Sequence, residues 1–276
     1  MGVNHPDDVA SVLDLMAWHR AFGRLLDKLD DGGFWLALIR LLRTKVAFHT
    51  WAVLVFSPDG PPRILARSGA EEGSNPALFR DYCHGLYLLD PFYVALGDAR
   101  GADLLRLDDV APDCFIETEY FQRYFRRNVV RDEVQINARL DDGRTLALSL
   151  GARGTYDDAA MGLFSLILPW LVPMMRQRWL HEDDGSTSAV ASIAPEPSEI
   201  RPTNPFEDGS LTERERQVCH LMLGGGSAKS IARRLAISVE TVRSHRRHLY
   251  HKLQVGTQSE LFALFWSHHS AAPEPP

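Results

Sequence analysis

Residues 211–265 read LTERERQVCHLMLGGGSAKSIARRLAISVETVRSHRRHLYHKLQVGTQSELFALF, and the punctuation of this stretch decides how the C-terminal part of the chain folds. Thr212 and Glu215 have capping-box spacing, in which each side chain satisfies a backbone N–H at a helix start. Val218, Leu221 and Met222 give that helix one apolar face, and Gly224-Gly225-Gly226 ends it, since glycine enters left-handed conformations freely. Ser227 is placed to cap a second helix with Ile231, Ala232 and Leu235 on one side. Ala236-Ile237-Ser238 leaves room only for a tight turn, after which Ser238 caps a third helix over about 239–253. Thr257 and Glu260 repeat the capping-box spacing and open a fourth helix through Trp266. Four short helices with a helix-turn-helix at their centre follow.

The third helix divides into two faces. Val242, Leu249 and Leu253 fall on one side, while Glu240, Arg243, Ser244, Arg247 and His251 form a polar stripe opposite. A helix that enters the major groove needs this division, with apolar anchors inward and long donors outward. Arginine can fork onto guanine O6 and N7, and Ser244 is short enough to allow close approach. Ser227, Lys229, Thr241 and Lys252 lie near helix termini, where contacts to DNA phosphates are made.

Charge follows the same division. The 276 residues carry a net charge of −6, yet residues 210–269 hold nine Lys+Arg against four Asp+Glu, a net +5 that leaves −11 elsewhere. A small basic module beside a larger acidic one suggests a polyanionic partner for the small one. Between them, 181–209 reads HEDDGSTSAVASIAPEPSEIRPTNPFEDG, too poor in large apolar residues to offset ordering entropy, which predicts a flexible linker. Residues 270–276 read as a disordered tail.

At these positions the sequence resembles the LuxR/FixJ/NarL-type helix-turn-helix regulators. The likeness rests on LTERERQV, GGSAKSIARRLAIS, ETVRSHRRHLYHKL and VGTQSEL, and runs without a gap from Leu211 to about Phe265. It implies that Arg243, Ser244 and Arg247 read bases and that Lys229, Thr241 and Lys252 hold phosphates, with the fourth helix a dimerisation element on DNA. Ala228 and Ser230 depart from the family pattern, which usually has Asn and Glu there.

Residues 1–180 alternate helical and extended patterns. Val9–Leu29 and Phe34–Leu42 read as amphipathic helices, and Phe48–Phe56 as a strand turned at Pro58-Asp59-Gly60. Arg131–Leu140 and Thr145–Arg153 read as a hairpin around Asp141-Asp142-Gly143, flanked by helices over Glu117–Arg127 and Asp157–Trp179. This mixed order predicts an α+β sensor domain of PAS/GAF-like shape, joined to the all-α four-helix C-terminal domain. Tyr82 and Leu86-Tyr87-Leu88-Leu89-Asp90-Pro91 resemble the Tyr…Asp-Pro stretch of autoinducer-binding domains, which would make Tyr82, Asp90 and Tyr93 ligand contacts. Leu78 stands where that pattern has Trp, and no Trp occurs over 90–114, so an unmodified acyl-homoserine lactone is not the first expectation. The domain is more similar to those of orphan, "solo" LuxR-type regulators. Tyr120, Phe121, Tyr124 and Phe125 read first as core or interface residues.

Several classes are disfavoured. Cys83, Cys114 and Cys219 form no disulfide framework or zinc-ligand spacing, and no GxSxG, HExxH or phosphate loop occurs. No catalytic residue, metal site or cofactor is expected. The stretch 159–175 lacks charge but contains Pro169 and Pro173, and reads as a buried or dimer-contact helix rather than a membrane span. Met1 to Asp8 lack a secretory pattern. The expectation is a cytoplasmic, homodimeric transcription factor that binds double-stranded operator DNA under control of a small apolar or amphipathic ligand, with RNA polymerase as an allowed partner and no membrane. The alternative is a regulator whose N-terminal domain binds a protein and no small ligand.

Overall fold

The computed structural model describes residues 16–58, 60–72, 75–96, 103–128, 131–182 and 209–270. Residues 183–208 of the expected linker, the expected tail from 271, residues 9–15 of the first expected helix, Met1 to Asp8, and Asp59 of the expected turn lie outside them.

Helices α1 (Met16–Leu26) and α2 (Phe34–Arg43) lead into strands β1 (Thr50–Ser57) and β2 (Gly60–Arg67). Helix α3 (Pro76–Cys83), a 3-10 turn (Leu86–Leu89), α4 (Pro91–Leu96), β3 (Leu104–Arg106) and α5 (Leu107–Val110) come next. The segment after them contains a π-helical turn (Phe121–Phe125) and a last helical turn α6 (Arg126–Asn128). The hairpin β4 (Asp132–Arg139) and β5 (Thr145–Ala152) is followed by α7 (Asp158–Glu182). All pairings in the five-stranded sheet are antiparallel, in the order β2-β1-β5-β4-β3. The expected α+β architecture and the hairpin are thus present; β2, β3 and α3 to α5 are additions that the sequence pattern did not resolve.

Alternation along β1 sets the layers. Val53 and Val55 pack with Phe34, Leu38, Phe164 and Ile167, so α1, α2 and α7 cover one face. Ala52, Leu54 and Phe56 point to the other face, into a second core with Leu78, Phe79, Tyr82, Phe92 and Tyr120. Both faces are therefore covered, which explains why β1 is buried over nearly its whole length.

Helix α7 is long and apolar enough to cross a membrane, but its Leu163, Phe164, Ile167, Leu171 and Met175 are buried in the first core. It extends through His181 and Glu182, residues expected in the linker. Its end is fixed by Arg178, 1% exposed, whose guanidinium donates to Glu182 Oε1 at 2.9 and 2.7 Å and to the Leu29 carbonyl at 2.9 Å. Trp35 Nε1 donates to the same carboxylate oxygen at 2.9 Å, tying α2 to α7.

The C-terminal domain consists of α8 (Glu213–Leu223), α9 (Ala228–Leu235), α10 (Val239–Leu253) and α11 (Gln258–Ser270). Val218, Met222, Ile231, Val242, Leu249, Phe262 and Phe265 form its core. The Thr212–Glu215 capping box is closed in both directions, and Ser227 and Ser238 cap α9 and α10. The second expected box is half formed. Thr257 Oγ1 accepts from Glu260 N, but the Glu260 carboxylate turns back to Gly256 N at 2.7 Å.

Candidate DNA-reading face and ligand cavity

The α9–α10 turn places the polar stripe outward. Val242 and Leu249 are buried while Arg243, Arg246 and Arg247 are exposed and Ser244 is half-buried. Arg243 Nη1 lies 3.3 Å from Glu240 Oε2, an exposed contact that a phosphate or base can replace at little cost. Arg246, absent from the polar stripe read in the sequence, lies with its guanidinium 5.2 Å from the centre of the Tyr250 ring. Arg246 stands three residues after Arg243 and so borders the stripe, although it falls outside the i, i+3, i+4, i+7, i+11 series counted from Glu240.

The expected phosphate contacts differ in their freedom. Lys229 is exposed in the first turn of α9. Thr241 N–H donates to Ser238 Oγ at 3.0 Å as part of the α10 cap. Lys252 Nζ donates to Glu215 Oε2 at 2.7 Å, and the Thr212 N–H and hydroxyl each reach that oxygen at 2.9 Å. Burial alone would raise the Glu215 carboxyl, but Lys252 and the Thr212 donors outweigh it and hold it at about 2. Lys252 is therefore also a structural tie between α10 and α8.

Ser227 accepts from Ser230 N at 3.2 Å and donates to Asp113 Oδ2 of the N-terminal domain at 2.5 Å. The Ser227 hydroxyl holds the Asp113 carboxyl below its ordinary value. Around this contact Cys114 N donates to the Gly225 carbonyl at 3.0 Å, and Ser259 Oγ to Glu119 Oε1 at 3.2 Å. Gly225 has φ +98°, and a Cβ there would lie 2.9 Å from the Phe115 backbone, so both conformation and close approach require glycine. Glu117 and Glu119 share one groove with Arg243 and Arg246. Acidic side chains thus stand beside part of the basic face.

In the N-terminal domain, Tyr82 and Asp90 come together. Tyr82 OH donates to Asp90 Oδ2 at 2.6 Å, and Phe92 N to Asp90 Oδ1 at 2.9 Å, so Asp90 also caps α4. Both line a cavity of about 40 Å³. Tyr93 does not line it; its ring packs against Tyr87 and Phe56, at 4.9 and 5.5 Å between centres. Its side chain is drawn off by that aromatic cluster.

Other lining residues were not singled out by the sequence. Tyr120, Tyr124, Asn128, Glu133, Gln135 and Ser149 complete the polar part of the wall. Tyr120 and Tyr124, expected to be core, are core residues that also face this space. Register explains the rest: Gln135 pairs with Ser149 and Glu133 with Gly151, so β4 and β5 present their polar alternates on the same face. Ser149 Oγ donates to Glu133 Oε1. Burial raises both the Asp90 and the Glu133 carboxyl above the usual carboxylate range.

Comparison with known proteins bears on the family and the fold. Residues 209–265 match the family described as bacterial regulatory proteins, luxR family. An HTH-type transcriptional regulator encoded in the exeN 3′ region of Aeromonas salmonicida is 31% identical over 192 residues, covering 67% of this chain and 96% of that protein. The monoamine regulon transcriptional regulator of Klebsiella aerogenes is 26% identical over 153 residues, covering 55% of this chain and 58% of that protein. The ligand-binding domain of VqsR from Pseudomonas aeruginosa is 40% identical with a TM-score of 0.57, covering 61% of this chain and 100% of that one. The N-terminal sheet and its helices are thus shared with a ligand-binding domain, the C-terminal helices with DNA-binding regulators. The chain belongs to the LuxR family of bacterial transcriptional regulators.

Proposed function

We propose that this regulator binds operator DNA as a homodimer in the cytoplasm, under control of a small molecule held in the Tyr82–Asp90 cavity. The observation that carries the DNA reading is the exposed basic stripe of α10, backed by buried Val242 and Leu249 and presented by three capped helix starts. Arg243, Ser244 and Arg247 read bases, while Ser227, Lys229, Thr241 and Lys252 meet phosphates. Half-sites lie about one helical turn apart. The outward side of α7, with Leu166 exposed, supplies part of the dimer contact. Regulation passes to RNA polymerase through the bound dimer.

A partly open cavity with several polar side chains in its wall favours a ligand over control by a partner protein alone, since a site for protein docking needs no interior space. The ligand acts by its differential affinity for two placements of the DNA-binding domains. Selection of bound fragments from random-sequence DNA with the full-length protein tests the first reading. Recovery of a two-fold symmetric motif supports it; salt-dependent binding without any enriched motif overturns it. Native mass spectrometry of the protein from its own host tests the second. A small molecule lost on denaturation supports control by a ligand; a clean apo dimer with a co-purified protein partner overturns it.

A further inference from the structure

The cavity of the N-terminal domain holds two buried carboxyl groups and no cation. Asp90 and Glu133 both line it, and among the described residues no Lys, Arg or His does. Arg106, near the base of β4, is committed to Asp132 at 3.1 Å. Buried acids are ordinarily matched by a cation or a metal. These two have only the Tyr82 and Ser149 hydroxyls and backbone N–H donors.

A second, independent feature points to a missing occupant. Asn128, 4% exposed, lines the same space, and its Oδ1 has no hydrogen-bond partner among the described residues. A buried acceptor left unpaired carries its full desolvation cost, so an occupant that donates to it gains affinity. The aromatic wall agrees. Tyr82 stacks on Tyr124 and Tyr124 on Tyr120, each at 5.4 Å between ring centres, and aromatic π-systems attract cations where aliphatic walls only exclude water. Acceptors, negative charge and aromatic rings converge on a space of about 40 Å³, room for a compact polar head group rather than a lactone ring with its acyl chain.

Building on the ligand-sensor reading above, we propose that this cavity takes the protonated nitrogen of a small amine, held by the Asp90 and Glu133 carboxylates and the Asn128 carbonyl among the three tyrosines. Without the amine, the Glu133 carboxyl keeps its proton, because burial and the neighbouring Asp90 carboxylate both disfavour its charge; Asp132, Tyr156 and the hydroxyls of Tyr82, Tyr120 and Tyr124 are the other titratable groups around the pair. The ammonium takes the place of that proton, which leaves to solvent, so binding releases about one proton near neutral pH.

The test is calorimetric titration of the full-length protein with butylamine, 1-butanol and sodium butyrate, in buffers of different ionisation enthalpy. Butylamine should bind about tenfold or more tighter than butanol, the worth of one charge-assisted hydrogen bond, with proton release and no butyrate binding. Glu133→Gln should remove both that preference for the amine and the proton release, while the apo protein still unfolds in one cooperative transition. Butanol or butyrate binding as well as butylamine overturns the amine class and leaves a ligand sensor. No binding of any probe also overturns it, and native mass spectrometry of host-purified protein then separates the two readings. A bound molecule without a basic nitrogen keeps the sensor; no bound molecule removes both. The comparison of probes on the unsubstituted protein decides the matter even where Glu133→Gln fails to fold.

Discussion

The Asp113 carboxylate of the N-terminal domain lies 2.5 Å from the Ser227 hydroxyl that caps α9. The start of a helix attracts anions through its free N–H groups and its dipole, and a DNA phosphate would seek the same place. In this arrangement a side chain of the protein itself holds that place. Asp113→Ala should tighten binding of the full-length protein to its operator several-fold, the effect shrinking as salt rises, as read by fluorescence anisotropy. Unchanged affinity would mean that the contact does not compete with DNA.

Arg243→Ala and Arg247→Ala should each relax base preference by about 1–3 kcal/mol at the positions they read, against a smaller change on random DNA. Lys229→Ala should instead weaken all sequences alike and reduce the salt slope by about 1. Competition binding against a library of single-base operator variants distinguishes the two patterns. Equal losses on specific and random DNA for the arginine variants would refute their assigned roles.

Lys252 has a structural partner as well as an expected phosphate contact. Lys252→Ala should destabilise the C-terminal domain by about 1–3 kcal/mol, since it removes a donor from the buried Glu215 carboxylate. Glu215 is depressed from 4.5 to about 2, so its contribution is fully present above the ordinary value and is lost as pH falls through about 2. Urea unfolding of the domain across acid pH should show this slope, and Glu215→Gln should flatten it.

Glu133 has the opposite sign. Its carboxyl is raised in the folded state by burial and by Asp90, so the folded protein binds the proton more tightly than the unfolded chain does. Stability should therefore fall as pH rises above the ordinary carboxylate range, and level off once the folded group ionises. Glu133→Gln should lessen that decline in thermal melts followed from acid to alkaline pH; an unchanged profile would place the ionisation elsewhere.

Arg178→Met should cost about 3–5 kcal/mol, because Glu182 and the Leu29 carbonyl lose their buried donor. Adding Glu182→Gln should recover part of that loss in the same chemical denaturation assay.

Sequence by itself determined the C-terminal domain. Thr212, Ser227 and Ser238 act on N–H groups three residues away, so caps, turn and amphipathic stripe are all local and legible in one stretch. Asp90 was legible through the likeness of Leu86-Tyr87-Leu88-Leu89-Asp90-Pro91 to the autoinducer-binding pattern, whereas its role as the cap of α4 was not. The cavity was decided only by tertiary structure. Along β4, Val134, Ile136 and Ala138 alternate with Glu133, Gln135 and Asn137, a pattern that ordinarily gives the polar set to solvent. Here α3, α4 and the Tyr120–Asn128 segment cover that face, and all three polar residues are buried. Alternation fixes which residues share a side of the strand, but what lies against that side depends on segments far away in the chain. The same distance hid the withdrawal of Tyr93 into its aromatic cluster and the meeting of Asp113 with Ser227, 114 residues apart.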